Sequence, residues 1–441
     1  MIKIYPQIRI IIFIISLISL ATFYYLNIRD IGVGVGYHFL LLFFFLVLIQ
    51  IRNPFLIFYK IKKNILYILL FLAYMSLRKV LDGQSFEGIF GFMFGTTSGL
   101  FFSFGLGVLI SHIFGNIYNI LIEFPSYINT LRRFVIVYYV ISLFFVLELF
   151  LHYYSMKVDT GFTISVDPSD YQRPGLIIFL FNVQNALVYA LTQSFGKNRR
   201  NYFFIFFYSI ALITATLGQL IGSNFALISV LLLAITMLLY GRLLKIYRKS
   251  NLWRLISFRA IFAGWIGREI LFVGVITLLI STFILYGLTQ LSLIDLRDLR
   301  IFGDNWEINS LTERFRLFDT LFLKHFGYGP VFGNMVVHDI METQYVHSLL
   351  SLLTHLGVTG AMLFSILVYF IYRDIEKLGK IQSGINFEYQ LFRLLMITLI
   401  ILFSIGMAFI TWIPLWFTFG LFSISFISTY SSDQSLKDDL E

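Results

Sequence analysis

The sequence predicts an all-α polytopic integral membrane protein with about 12 transmembrane helices and one large loop on the outer side. Three observations predict it. Of 441 residues, 58% are hydrophobic and only 13% charged, against about 25% charged in soluble domains, and mean hydropathy is +0.83. Apolar runs of about 20 residues, long enough to cross a bilayer as a helix, recur along the chain. Phe 51 and Tyr 26 supply an aromatic content suited to lipid contact and interfacial belts.

Each span has its own delimiters. Lys3 and Arg9 precede an apolar run from Ile10 to Leu26 that lacks a small-residue cleavage site, so 8–27 is read as an uncleaved first helix. A flexible turn, GVGVG at 32–36, leads into the second span, 33–51; it has no strand–turn–helix context and gains no nucleotide-binding role. The third span, 64–78, lies between Lys60, Lys62 and Lys63 on one side and Arg78 and Lys79 on the other. A fourth follows at 88–111, and the fifth, 134–152, begins after Arg132 and Arg133. The sixth, 174–195, opens on Pro174, a residue suited to a first helical turn. Spans seven and eight, 201–217 and 219–240, meet in LGQLIGSNFAL, where Gly218, Gly222 and Ser223 permit close backbone approach. The last four are 268–290, 345–371, 389–410 and 412–430, and the polar tail 431–441 reads as disordered. The organisation is therefore nine helices in 1–290, a large loop in 291–344, three helices in 345–430 and a tail.

Charge orients this array. With both termini inside, 23 of the 33 lysines and arginines fall on the inner side and 10 outside. That is the positive-inside bias of a multi-pass protein in a cytoplasmic membrane. The net charge of +9 sits in short loops between spans, so it carries no nucleic-acid reading. With Cys 0, disulfides, thiolate chemistry and cysteine metal sites are excluded.

Two outer loops are long, 153–173 and 291–344. In the larger, Ser310 and Glu313 have capping-box spacing, and Phe315, Phe318, Phe322 and Phe326 follow at spacings of three and four. This predicts an amphipathic helix that ends at GYGP, 327–330. Loops of this size are often functional.

The residues with chemical potential lie on the outer side. Arg173 precedes span six, inside which Asn182, Gln184 and Asn185 sit; taken alone, their plain reading is an interfacial arginine and interhelical hydrogen bonds. Arg314 and Arg316 lie on the amphipathic helix, either as a solvated face or as guanidinium forks for a phosphate. His347 and His355, at i and i+8, fall near one helix face about 12 Å apart. A packed interfacial histidine is the plain alternative, although ionisable groups within a membrane default to function. His338, Asp339 and Glu342 form no metal-ligand motif. Arginines with a histidine, under a large outer loop, fit transfer from a lipid-linked phosphate. The arginines would hold departing charge and the histidine would accept a proton.

Several segments resemble the O-antigen polymerase and O-antigen ligase superfamily of bacterial inner membranes. Arg-Pro-Gly at 173–175 followed by NVQNALVYAL is similar to the family's Arg-x-x-Gly and Asn-rich helix, with Gly175 one place early. Ten residues separate Arg316 from Gly327, as in the large periplasmic loop of the polymerases. GYGPVFGN, with Gly327 and Gly329, resembles the family's Gly-x-Gly segment, and VHSLLSLLTHLGVTGAMLF its histidine helix with Gly357 and Gly360. One departure is Ser223–Asn224, where many members have Ser-Arg.

The resemblance implies a GT-C-like glycosyltransferase architecture with a large periplasmic loop and cytoplasmic termini. The expected enzyme is a polysaccharide polymerase that uses undecaprenyl pyrophosphate-linked oligosaccharides, with no cofactor and no metal. In this reading His347 is the essential catalytic residue. Arg173 and Arg316, with Arg314 as substitute, bind the pyrophosphate. Asn185, Gly327, Gly329 and His355 play supporting parts. Membrane lipid and a polysaccharide chain-length regulator are the implied partners. Two alternatives stand beside it: a ligase passing polymer to lipid A core, and a flippase, for which internal repeats would be expected.

Overall fold

A computed structural model describes residues 5–29, 33–51, 54–81, 98–160, 168–194, 202–221, 223, 226–227, 229–234, 237, 329–334, 349–379 and 413–423. Outside these lie His347, Arg314, Arg316 and Gly327, spans nine and eleven, the tail, and the large loop apart from 329–334.

Every regular element among the described residues is helical. They are α1 (Pro6–Ile28), α2 (Val33–Gln50), α3 (Pro54–Leu81), α4 (Ser98–Glu123), a 3₁₀ turn Pro125–Tyr127, α5 (Ile128–Thr160), α6 (Pro168–Ser194), α7 (Tyr202–Leu220), α8 (Leu349–Gly379) and α9 (Ile413–Ser423). Within them, five stretches are long and apolar enough to cross a membrane: Pro6–Ile28, Lys63–Leu81, Ser98–Glu123, Pro125–Met156 and Pro174–Thr192. This is a polytopic α-helical membrane protein.

Two helices run past their apolar stretches into the expected loop 153–173. The 33-residue α5 continues to Thr160, a length of about 50 Å, well beyond the roughly 30 Å of bilayer hydrocarbon. The next helix, α6, starts at Pro168, so Arg173 lies within it and Pro174 is internal rather than initial. The sequence DPSDYQRPG holds two prolines, and the first occupies the favourable starting turn. The tenth span is also corrected: α8 is broken at Gly357.

The chain forms two compact units, each from two separate stretches: Met1–Leu48 with Phe124–Trp306, and Ile49–Glu123 with Glu307–Glu441. In the first, α1 packs on α5 and α6, and α7 packs on both of these. Its centre holds Phe13, Leu17, Tyr138, Tyr139, Val183 and Phe207, all buried. Tyr25 stacks on Phe145 at 4.6 Å and Arg29 reaches Glu148, so α1 and α5 run parallel. Pairs Tyr189–Phe207 and Asn182–Thr214 make α6 and α7 antiparallel.

In the second unit, α3 lies against α8 and α4 against α9. Tyr67 stacks on Phe370 at 4.3 Å and Phe71 meets Phe364 edge-on at 5.8 Å, so α3 and α8 are antiparallel. Trp416 and Phe419 of α9 complete this aromatic cluster. The α4–α9 crossing is closer still. Ser103, Gly107, Ser111 and Gly115 recur every four residues on α4 and are buried. A Cβ on Gly107 would run into the Phe417 carbonyl and stand 2.6 Å from the Leu421 nitrogen, and one on Gly420 would run into the Phe104 carbonyl. Small residues let these backbones meet, as helix association in lipid favours.

Candidate functional site

In the second unit, the segment GPVFGN and the histidine helix interlock. Gly357 breaks α8 with φ 64° and ψ −169°, a conformation open essentially to glycine alone. The break releases the amides that a continuous helix would pair with the carbonyls of Thr354 and His355. Residues 329–334 supply replacements: the Val358 N–H donates to the Pro330 carbonyl at 2.9 Å and the Thr359 N–H to Val331 at 3.0 Å. The turn closes on itself through Gly333 N–H to the Gly329 carbonyl, 2.7 Å. Gly333 has φ 75°, and a side chain there would collide with the His355 carbonyl and the Gly357 amide. Reciprocally, a Cβ on Gly357 would stand 2.5 Å from the Val331 carbonyl.

Two side chains from α3 hold this junction. Tyr74 Oη lies 3.1 Å from the Phe332 carbonyl and 3.0 Å from that of Leu356, so its one proton serves the turn and the helix together. The Arg78 guanidinium donates to the Gly333 carbonyl at 2.9 Å. Sequence reasoning counted Arg78 only as an outer basic residue and did not single out Tyr74. Their spacing of four, one turn apart on a helix, was the available signal.

Of the predicted site residues, Gly329 and His355 are thus brought together: Gly329 closes the turn and the His355 backbone borders it, with the imidazole buried. The Gly-x-x-Gly of the histidine helix is a place of close approach: a Cβ at Gly357 would meet the turn's backbone, and one at Gly360 would meet Leu356 Cβ.

In the first unit, the polar residues of α6 point to neighbouring helices. Tyr138 Oη donates to Asn185 Oδ1 at 3.0 Å, and Tyr139 Oη to the Asn185 carbonyl at 3.1 Å. Asn182 and Thr214 bond each other across α6 and α7, and Gln184 donates to the Leu17 carbonyl at 2.8 Å. All three amides are buried. They join α6 to three helices, the interhelical role weighed from the sequence. Arg173 sits two residues before Gly175, whose missing side chain admits Ser223: a Cβ there would meet Ser223 Oγ. Ser223 Oγ in turn accepts from the Ala226 N–H at 3.2 Å, an N-cap bond at a helix start. Gly218 also packs closely, its Cβ position 2.8 Å from the Ala226 Cβ.

A further polar group lies where α1 and α5 end. Arg29 Nε is 3.2 Å from Glu148 Oε1, and its guanidinium also contacts the His152 ring. The Tyr153 hydroxyl donates to the Ile28 carbonyl at 2.6 Å. Glu148 and His152 are one helical turn apart, a pattern visible in LELFLHYY and not singled out. Arg29 follows the last turn of α1, where a cation complements the helix dipole. The group ties two parallel helix ends together.

No family model, no curated protein and no solved structure matches this chain.

Proposed function

We propose that the protein is a membrane-embedded, polyprenyl-pyrophosphate-dependent glycosyltransferase that polymerises lipid-linked repeat units, with about 12 spans in a GT-C-like architecture. The observation that carries the reading is the junction at Gly357. Two segments on which the family resemblance rests, GYGPVFGN and the histidine helix, are separate in the chain, and their described parts bond backbone to backbone. The opposite directions of α3 and α8 also support the alternation expected of a third and a tenth span.

In this reading His347 takes the proton from a hydroxyl on the non-reducing sugar of one lipid-linked unit. The freed oxygen attacks the anomeric carbon of a second glycan. The bond from that carbon to undecaprenyl pyrophosphate breaks, and the pyrophosphate leaves with the electron pair. Arg173 and Arg316, with Arg314 as substitute, stabilise its charge. The reaction takes place at the outer face of a bacterial inner membrane, beside a chain-length regulator.

Complementation of a deletion strain tests this, reading surface glycan as a ladder on a gel. Absence of the protein should leave a single repeat on lipid A core, and His347→Ala should fail to restore the ladder at matched protein level. Polymer stranded on undecaprenyl pyrophosphate, with none attached to core, would instead mean a ligase. Full ladders from His347→Ala, Arg173→Ala and Arg316→Ala together would reject the site.

A further inference from the structure

A helix broken by glycine inside a membrane protein leaves backbone groups that must be satisfied by protein. Here the turn 329–334 satisfies two of them, but it is a short segment with few buried side chains of its own. Val331 and Phe332 are 53% and 57% exposed, so their side chains anchor little. The turn is held by its carbonyls. Four of them, from Pro330, Val331, Phe332 and Gly333, accept bonds from outside the turn. Half of those bonds come from the amides of α8 and half from the Tyr74 and Arg78 side chains.

Tyr74 differs from the rest because it also touches the helix side of the break, at the Leu356 carbonyl. One hydroxyl thus spans the last residue before Gly357 and the third residue of the turn 330–333. Removing it deletes the bond to Leu356, ahead of the break, without opening a cavity larger than one oxygen, while the Val358 and Thr359 amides still hold the turn to the part of α8 after the break. Arg78 closes the far end of the same turn at Gly333, whose backbone abuts His355.

We propose that Tyr74 and Arg78 are positioning residues: they seat the turn 329–334 in the break of α8 and so fix the direction in which Leu349–Leu356 leaves the rest of that helix. The inference rests on the glycosyltransferase reading for its effect on catalysis, and on geometry alone for the clamp. Both act through the backbone of the junction, whose carbonyls they bond. A reaction that depends on the seating would lose turnover while keeping donor binding, because misplacement of about 1 Å costs up to roughly 100-fold in rate.

The native chain has no cysteine, so paired spin labels can be placed cleanly. Full-length protein in lipid nanodiscs would carry labels at Phe332→Cys and Met362→Cys, both exposed side chains. The expected result is one narrow distance distribution in the labelled parent. Tyr74→Phe combined with Arg78→Leu should broaden or split it, and Arg78→Lys, which keeps a charged donor, should restore it in the Tyr74 background. In unlabelled protein, the double substitution should lower kcat for chain extension by roughly 10- to 100-fold with the donor KM within about twofold, and Arg78→Lys should recover most of it. An unchanged distribution overturns the clamp. A changed distribution with unchanged kcat overturns the positioning role. An intact clamp in a protein that extends no glycan would instead reject the glycosyltransferase reading on which the role depends.

Discussion

At the scale of single residues, Gly357 is constrained twice over. Its φ and ψ exclude other residues, and its Cβ position is already occupied by the neighbouring turn. Gly357→Ala should therefore destabilise the protein by about 1–3 kcal/mol from backbone strain alone, measured as a lowered unfolding midpoint in detergent. Gly360→Ala would place its Cβ against the Leu356 Cβ, an atom the backbone fixes, and should destabilise as well. The amide network makes a second prediction. Asn182 and Thr214 exchange bonds in a buried setting, so a double-mutant cycle with Asn182→Leu and Thr214→Val should give a coupling of about 0.6 kcal/mol and no more than about 1.7. Asn185 is oriented by Tyr138 and Tyr139 in the same way, within the first unit.

At the scale of elements, the apolar runs located the helices but not their ends. Hydropathy ceases where a helix leaves lipid, whereas hydrogen bonding continues. Hence α5 extends to Thr160 and α6 begins at Pro168, outside the runs that announced them. The break in α8 was legible only as a Gly-x-x-Gly. A glycine pair marks close approach but not which backbone approaches, and the answer came from a turn more than twenty residues earlier. The four-residue repeat of small residues on α4 was equally present in the sequence; its partner, Gly420, is set by long-range packing that no local pattern encodes. Because Phe417 and Leu421 meet Gly107 through backbone atoms, relief by side-chain movement is closed off. Gly107→Ala should thus cost about 1–3 kcal/mol, read by the same unfolding midpoint, while Gly99→Ala on the same helix, with open space around it, should be near neutral.

At the scale of the whole molecule, charge bias and hydropathy made the membrane class legible, and the described helices agree with it. Orientation is a separate expectation, and α5 offers a direct check at its two ends. Ser126 and Ser155 are both exposed, just before and near the end of this long helix. Single cysteines there should differ in labelling of intact cells by a membrane-impermeant maleimide: Ser155→Cys reacts and Ser126→Cys is protected until the membrane is opened. The reverse pattern would invert the topology and remove the proposed site from the outer face. What the sequence did not convey is how the histidine helix is held. That depends on Tyr74 and Arg78, which lie far from it in the chain and carry no motif.

Glycosyl transfer from a lipid pyrophosphate can be followed on purified protein. Protein in lipid nanodiscs would be given a synthetic undecaprenyl pyrophosphate-linked repeat unit with a labelled sugar, and products resolved by chain length. The expected products are lipid-linked glycan of two or more repeats and one undecaprenyl pyrophosphate for each bond formed, with neither from His347→Ala. Equal products from His347→Ala, or unchanged substrate with parent protein that extends glycan in cells, would contradict this expectation.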